Sequence, residues 1–190
     1  MPGQTGDFGR YNARGIRGGE ALQRQLDRLV TYFASPVTSP RGLAARLNYL
    51  LNSPTRLAAA RQAGLTVTDR TLKAWRDGMR KPNKANLQRI DDVYRKVRRR
   101  NVARQLLKRL QNGGAGTRIE IHPQNQSQVP RPHQRALSFR TLNVRRWDAI
   151  VAAWAGDDVE QLHALWIDLI QDLGSEWGMY EYVTNVGFAA

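Results

Sequence analysis

The sequence predicts a mainly α-helical protein with a small α+β part towards its C-terminal end. Apolar residues recur at helical spacing from Ala21 to Leu110, whereas short stretches after Gly116 alternate between apolar and polar residues, as strands do. The stretch NGGAG, residues 112–116, separates the two regions and has a composition that ends helices. We therefore expect a helix-turn-helix bundle, a long basic helix and then a β-β-α-α-β region.

The N-terminal end is expected to begin with an arm and a helix. Residues 1–19 are rich in Gly and Arg and poor in apolar residues, which predicts a disordered basic arm. A first helix is predicted over residues 21–33, because its large apolar side chains share one face: Leu22, Leu26, Leu29 and Phe33. Two prolines within residues 35–40 end this helix.

Two further helices are expected before residue 65. Residues 41–51 (RGLAARLNYLL) place four leucines on one face. The third helix has Ser53 as its predicted N-cap and Pro54 in its first position, and Gly64 ends it.

Residues 68–82 (TDRTLKAWRDGMRKP) predict a short, strongly polar helix. Thr68 is the expected N-cap, and Gly78 is the expected C-terminal stop. Leu72 and Trp75 are three residues apart and so share a face, which makes them the expected anchors to a core. The charged residues then face outward, free to meet a polar partner.

A long basic helix is predicted over residues 84–111. Apolar positions from Leu87 to Leu110 form an approximate helical stripe, and within residues 84–111 no acidic residue follows Asp92. Like charges on one helix repel each other, and a phosphate backbone alongside would relieve that repulsion. The expected phosphate contacts on this helix are Arg95, Arg98, Arg99, Arg100 and Arg104.

The C-terminal part is expected to contain three strands and two helices. Residues 117–123 and 135–143 alternate as strands, with a polar linker over residues 124–134 between them. Asn143 is the predicted cap of the first helix, and Asp157 or Asp158 caps the second. A final strand is expected over residues 178–188. The predicted domains are an arm (1–19), a helical DNA-binding domain (20–111), a strand and linker (112–135) and an acidic interaction domain (136–190).

Positive charge is concentrated in the first three quarters of the chain. The 190 residues carry a formal net charge of +14; residues 1–144 hold 28 Lys and Arg against 8 Asp and Glu, and residues 145–190 hold 2 against 8. This distribution predicts a polyanionic partner for the basic part, and nucleic acid fits best. A membrane surface fits less well, since no helix pairs a Lys-rich face with a bulky apolar face.

The sequence lacks the residues and motifs that several kinds of catalytic and metal site require. The chain has no Cys, which excludes disulfides, thiol catalysis and thiolate metal sites. Its three histidines, at positions 122, 133 and 163, do not indicate a metal site, and no Walker-type loop or nucleophile motif is present. We expect no enzyme, metal or cofactor. Since neither a membrane span nor a signal peptide is evident, we expect a cytoplasmic, nucleoid-associated protein.

Residues 43–97 resemble the helix-turn-helix of the phage-repressor (Xre-like) family, most closely in VTDRTLKAWRDGMRKP, residues 67–82. The turn is about two residues longer than is common in that family. The resemblance implies that the helix after Thr68 reads DNA. Asp69 would then accept from cytosine N4, and Arg70 would bridge guanine O6 and N7. Thr68 would contact a phosphate, and further contacts are expected from Lys73, Arg76, Arg80 and Lys81.

The order of motifs along most of the chain resembles the terminal proteins that cap the telomeres of linear bacterial replicons. The matching stretches are AARLNYLL (44–51), the helix-turn-helix segment (67–82), RRRNVARQLLKRL (98–110), NGGAGTRIEI (112–121), RALSFRTLN (135–143), WDAIVAAW (147–154) and YEYVTN (180–185). The resemblance implies binding to telomeric double-stranded DNA and protein priming, in which a side-chain hydroxyl receives the first deoxynucleotide from a partner DNA polymerase.

The priming hydroxyl is expected near the junction of the two regions. Thr117 follows the flexible NGGAG stretch, Arg118 beside it could hold a triphosphate, and the family places its priming threonine here. Ser127, in the polar linker, is the second candidate.

Two other functions fit the same sequence. One is a transcriptional repressor with a dimerising C-terminal domain, and the other is an RNA-binding structural component. We expect the acidic unit of residues 136–190 to contact protein, either a second copy of the chain or a replication partner.

Overall fold

A computed structural model describes residues 8–30, 35–174 and 178–188 and contains seven α-helices and four β-strands within them. In chain order they are β1 (Ile16–Arg17), α1 (Gly18–Val30), α2 (Pro40–Leu51), α3 (Pro54–Gln62), α4 (Asp69–Arg76), α5 (Lys84–Gln111), β2 (Thr117–Pro123), β3 (Arg140–Val144), α6 (Asp148–Gly156), α7 (Val159–Gln171) and β4 (Tyr182–Phe188). The predicted fold class, mainly α with a small α+β part, is confirmed.

The chain divides into two compact units. One, the helical unit, spans residues 30–102; the other, the sheet unit, combines residues 1–29 with 103–190. These units cut the chain at other places than the predicted boundaries after residues 19, 111 and 135, because α1 and the end of α5 belong to the sheet unit.

The helical unit is built on α2, which packs against both α3 and α4. Ser39 caps α2 by accepting from Gly42 N at 3.0 Å, and Asn83 caps α5 by accepting from Asn86 N at 2.8 Å. Ser53 stands at the N-cap position of α3 as predicted, but its side chain makes no capping bond. The core consists of Leu43, Leu47, Leu50, Ala60, Leu65, Leu72, Trp75, Ile90, Val93, Tyr94 and Val97.

The sheet unit contains four antiparallel strands in the order β1-β4-β2-β3. β4, near the end of the chain, lies between β1 and β2. Ile119 and Ile121 of β2 are fully buried, and the Trp147 ring packs 5.9 Å from the Phe188 ring. Trp147, Trp154 and Trp166 are all 0 % exposed.

The predicted disordered arm is wrong for residues 8–19. Ile16 and Arg17 pair with Val183 and Tyr182 of β4, and Gly18 N donates to Glu181 O at 2.8 Å. The reason is a partner far along the chain, which local composition cannot indicate. Residues 1–7 and the predicted helix residue Phe33 lie outside the described residues.

Two predictions for the C-terminal part also need correction. Asn143 does not cap a helix: it lies in β3, its amide donates to Ala115 O at 3.0 Å, and α6 begins only at Asp148. The strand predicted from residue 135 begins at Arg140, because hydrogen bonds from Gln126 hold the preceding chain as an irregular loop. Asp158 caps α7 as expected, accepting from Gln161 N at 2.9 Å.

In the part of the chain that the structure describes, no helix combines the length and apolar character needed to cross a membrane.

Candidate nucleic-acid interface

α4 is fixed from behind by two buried side chains. Leu72 is fully buried and Trp75 is 8 % exposed, and both belong to the core of the helical unit. The Thr68 hydroxyl accepts from Thr71 N at 3.3 Å, which satisfies one backbone donor of the first turn. Gly78 follows the helix with a φ of +74°, a conformation that favours glycine. The predicted packing and capping of this helix are therefore confirmed.

The outer side of α4 and the turn after it present four cations to solvent. Arg70 and Lys73 lie on the helix, and Arg80 and Lys81 lie between α4 and α5; all four are exposed. None of them forms an ion pair with another described residue. Because a polyanion gains affinity by releasing counterions when such cations neutralise it, this surface suits a phosphate backbone.

Asp69 is engaged inside the helical unit. Arg61 of α3 pairs with Asp69 Oδ1 and donates to the carbonyl oxygens of Leu65 and Val67. One guanidinium thus holds the connection between α3 and α4, residues 63–68, at several points. The Asp69 carboxylate is exposed and can still accept from a cytosine, but Arg61 already donates to its Oδ1.

Arg76 is balanced by its neighbour in sequence. Its Nε and Nη2 donate to Asp77 Oδ1 and Oδ2 at 2.7 and 3.1 Å. These hydrogen bonds raise the pKa of Arg76 and lower the pKa of Asp77. The Asp77 carboxylate therefore partly neutralises Arg76, which leaves Arg76 with less charge for a phosphate contact than Arg70 or Lys73.

An open cleft of about 610 Å³ lies beside α2 in the helical unit. Tyr49 and Arg56 both line it, with the Arg56 guanidinium 4.4 Å from the Tyr49 ring centroid. The guanidinium of Arg98 is 5.2 Å from the same ring, and Asn101 donates to the Tyr49 hydroxyl at 2.9 Å. The lining residues are Ala45, Asn48, Tyr49, Leu51, Asn52, Arg56 and Arg76. Sequence reasoning missed this cluster, because its members come from separate helices.

The predicted phosphate contacts on α5 have different surroundings. Arg100 and Arg104 are exposed, and neither forms an ion pair with another described residue. Arg98 is half-buried beside Tyr49. Arg99 is only 5 % exposed, so the prediction that it contacts phosphate is wrong: its position on α5 turns it inward.

Arg95 is exposed but engaged with a buried carboxylate. Its Nε donates to Asp91 Oδ2 at 3.0 Å, while the Nε of buried Arg46 donates to Oδ1 at 2.5 Å. Arg46 also donates to Ser35 O and Gly42 O. Asp91 therefore ties α2, α5 and the loop before α2 together. In the sequence, the indication of this role is that Asp91 directly follows Ile90 of the apolar stripe of α5.

The two candidate priming hydroxyls differ in their contacts. Thr117 is half-buried at the start of β2, and its hydroxyl donates to Leu110 O at 2.6 Å. Ser127 is exposed in the loop after β2; its backbone N donates to Asn125 Oδ1 at 2.8 Å, and its hydroxyl makes no hydrogen bond to another described residue. The mobility expected of Thr117 is not found, because β2 pairs it with Val144 of β3.

The histidines have separate partners. His163 is buried, with Nε2 3.5 Å from Glu181 Oε1, and burial is the main cause that lowers its pKa. The His133 ring stacks on Tyr11 with ring centroids 3.8 Å apart, and the His122 and Phe139 rings meet at an angle of 64° with centroids 5.1 Å apart. No group of three or more His, Asp or Glu residues that could hold a metal ion occurs within the described ranges.

Comparisons with known families, curated proteins and solved structures gave no match to this chain.

Proposed function

We propose that the helical unit binds duplex DNA, with α4 as the recognition helix in the major groove. The observation that supports this most is an exposed cationic surface: Arg70 and Lys73 lie on a helix anchored from behind by buried side chains, and Arg80 and Lys81 lie in the turn after it. A short helix held in this way can enter a groove without unfolding, and its outward side chains can reach base edges.

The roles of the four cations follow from their places. Arg70, in the first turn of α4, is the candidate for a bidentate contact to guanine. Lys73 is one turn further along, and Arg80 and Lys81 lie beyond the helix, where phosphates flank a groove. Arg61 and Asp69 keep the connection between α3 and α4 in place while the helix is bound.

Substitution of Arg70 tests this proposal. We expect Arg70→Ala to relax the preference at one base pair of a site selected from random duplexes, and to weaken binding to that site by about 1–3 kcal/mol. Arg24→Ala is the matched control, since Arg24 is an exposed arginine on α1 of the sheet unit. Unchanged sequence preference in Arg70→Ala, measured by repeating the selection, would mean that α4 does not read bases.

We further propose, from the resemblance to telomere terminal proteins, that this DNA is the end of a linear replicon and that the chain primes its synthesis. The exposure of Ser127 supports it over Thr117 as the priming residue, because an incoming nucleotide must reach the hydroxyl. The Ser127 oxygen would attack the α-phosphorus of a deoxynucleoside triphosphate, pyrophosphate would leave, and the hydroxyl proton would pass to solvent.

Peptide mapping distinguishes the two hydroxyls. Trypsin releases residues 110–118, in which Thr117 is the only hydroxyl side chain, and residues 119–135, in which Ser127 is the only one, because Pro132 blocks cleavage after Arg131. After incubation with a DNA polymerase from a linear-replicon host, telomeric template and labelled deoxynucleotide, we expect label on the second peptide and none in Ser127→Ala. Label on the first peptide, lost in Thr117→Val, would reverse the assignment.

A further inference from the structure

The sheet unit has an open side that the proposed function does not use. Along β2, Ile119 and Ile121 are buried, so alternation places Arg118, Glu120 and His122 on the opposite face. Their cross-strand neighbours are Asn143 beside Arg118, Thr141 and Gly187 beside Glu120, and Asn185 beside His122. We call these residues, together with Phe139, the open sheet face.

Phe139 is held out from the protein on a fixed backbone. It is 48 % exposed, and its ring meets the His122 ring at 5.1 Å and an angle of 64°. Tyr180, which is 1 % exposed, fixes the chain on both sides of it: the Tyr180 hydroxyl donates to Ser138 O at 2.9 Å and accepts from Arg140 Nε at 3.3 Å. Because these contacts keep the Phe139 ring exposed to solvent, it is available to stack on a flat partner.

The chain around Phe139 is cationic. Between Glu120 and Asp148 there are five arginines and no acidic residue. All five are exposed, and none forms an ion pair with another described residue: Arg131, Arg135, Arg140, Arg145 and Arg146. The side chain of Gln126 fixes the backbone of Arg135 through two hydrogen bonds of 2.9 and 2.8 Å.

The acidic residues of the C-terminal region lie elsewhere. Apart from buried Glu181, those that the structure describes after residue 145 lie on α6 and α7 or at their ends: Asp148, Asp157, Asp158, Glu160, Asp168 and Asp172. On the open sheet face, Glu120 is an acidic residue, and its Oε2 lies 3.9 Å from His122 Nε2. The net negative charge of residues 145–190 therefore does not apply to the open sheet face.

We propose that the open sheet face binds single-stranded DNA. Phe139 stacks on an unpaired base, while Arg118, Arg131, Arg135, Arg145 and Arg146 contact phosphates. An exposed ring favours a single strand over a duplex, because in a duplex the base faces are already covered by stacking on neighbouring base pairs. An acidic peptide would satisfy the arginines but would leave the ring without a flat partner. The choice of DNA over RNA rests on the proposed function of α4; the surface itself does not depend on it.

Binding of a short fluorescein-labelled oligothymidylate to the full chain, followed by anisotropy, tests this proposal. We expect Phe139→Leu to weaken binding about tenfold and Phe139→Tyr, which keeps a ring, to leave it nearly unchanged. Arg118→Gln should lower the slope of log affinity against log salt by about 0.7. Met79→Leu is the matched control, since Met79 is the other exposed large apolar residue among those described.

The outcomes separate this proposal from the function proposed for α4. Arg70→Ala should alter duplex preference and leave oligothymidylate binding unchanged. Single-strand binding that depends on Phe139, in a protein without duplex specificity, would support the open sheet face and reject α4 as the recognition helix. No binding of oligothymidylate, equal binding by Phe139→Leu, or tighter binding of oligouridylate would overturn the proposal. Equal melting temperatures of all variants exclude unfolding as the cause.

Discussion

Neighbouring residues of the same type can differ widely in solvent exposure. Arg98, Arg99 and Arg100 form one basic run, and all three were predicted to contact phosphate. An α-helix turns by about 100° per residue, so adjacent side chains point in different directions. As a result Arg99 is buried, Arg98 lies beside Tyr49 and Arg100 faces solvent.

Substitution of Arg99 and of Arg100 should have different effects. Arg99→Ala should lower the free energy of unfolding by about 1–3 kcal/mol, because it removes a buried side chain and its interactions. Arg100→Ala should leave that free energy nearly unchanged and lower the salt slope of duplex binding by about one. Urea unfolding and binding titrations at several salt concentrations measure both. The reverse pattern would show that Arg99 is accessible in solution.

Among the elements, α4 depends most on its neighbours. It has eight residues, and isolated helices of that length are not stable in water. Leu72 and Trp75 bury its inner face, and the Thr68 cap and the Arg61–Asp69 pair hold its N-terminal end. The outward cations are presented only while these contacts persist.

Removal of the Trp75 ring should therefore unfold the helical unit. We expect Trp75→Ala to lower the free energy of unfolding by about 3–5 kcal/mol and to abolish duplex binding with it. Lys73→Ala, on the exposed side of the same helix, should leave thermal stability unchanged while weakening binding. A Trp75→Ala protein with normal melting and lost base preference would instead identify Trp75 as a DNA contact.

In the whole molecule, distant parts of the chain share one sheet. β4 lies between β1 and β2, so the sheet unit needs residues from both ends of the sequence. A deletion of residues 136–190, the predicted interaction domain, would remove β3, β4, α6 and α7 together. It would leave Leu22 and Leu26 of α1, both fully buried, without their surroundings.

The two units support a prediction about fragments. Residues 35–111 contain the complete core of the helical unit and all of α5, so we expect this fragment to fold and to bind duplex DNA. Residues 1–135 should show a broad, weakly cooperative transition for the sheet unit, because two of its four strands are missing. Circular dichroism melting tests both. A fragment 35–111 that is unfolded alone would mean that the helical unit requires the sheet unit.

Most of the helices were predictable because their signals are local. Apolar spacing, Thr68, Pro54 and Asp158 determine helices through contacts within a few residues, and these elements were confirmed. The exposed cations of α4 also follow from spacing, once Leu72 and Trp75 are recognised as anchors. The Tyr49 cluster and the Arg61–Asp69 pair were not predictable, since each requires two or more elements to be placed first.

The sequence by itself determined the fold class, most helices and the strands β2 and β4, because hydrophobic period and capping act over one or two turns. Only the tertiary structure decided that residues 8–19 are ordered, that Arg99 is buried, that Thr117 is bound to Leu110 O and that Phe139 is held outward by Tyr180. Each of these depends on a residue that is near in space and distant in sequence, or on the direction in which a packed element turns a side chain. Local pattern carries no information about either.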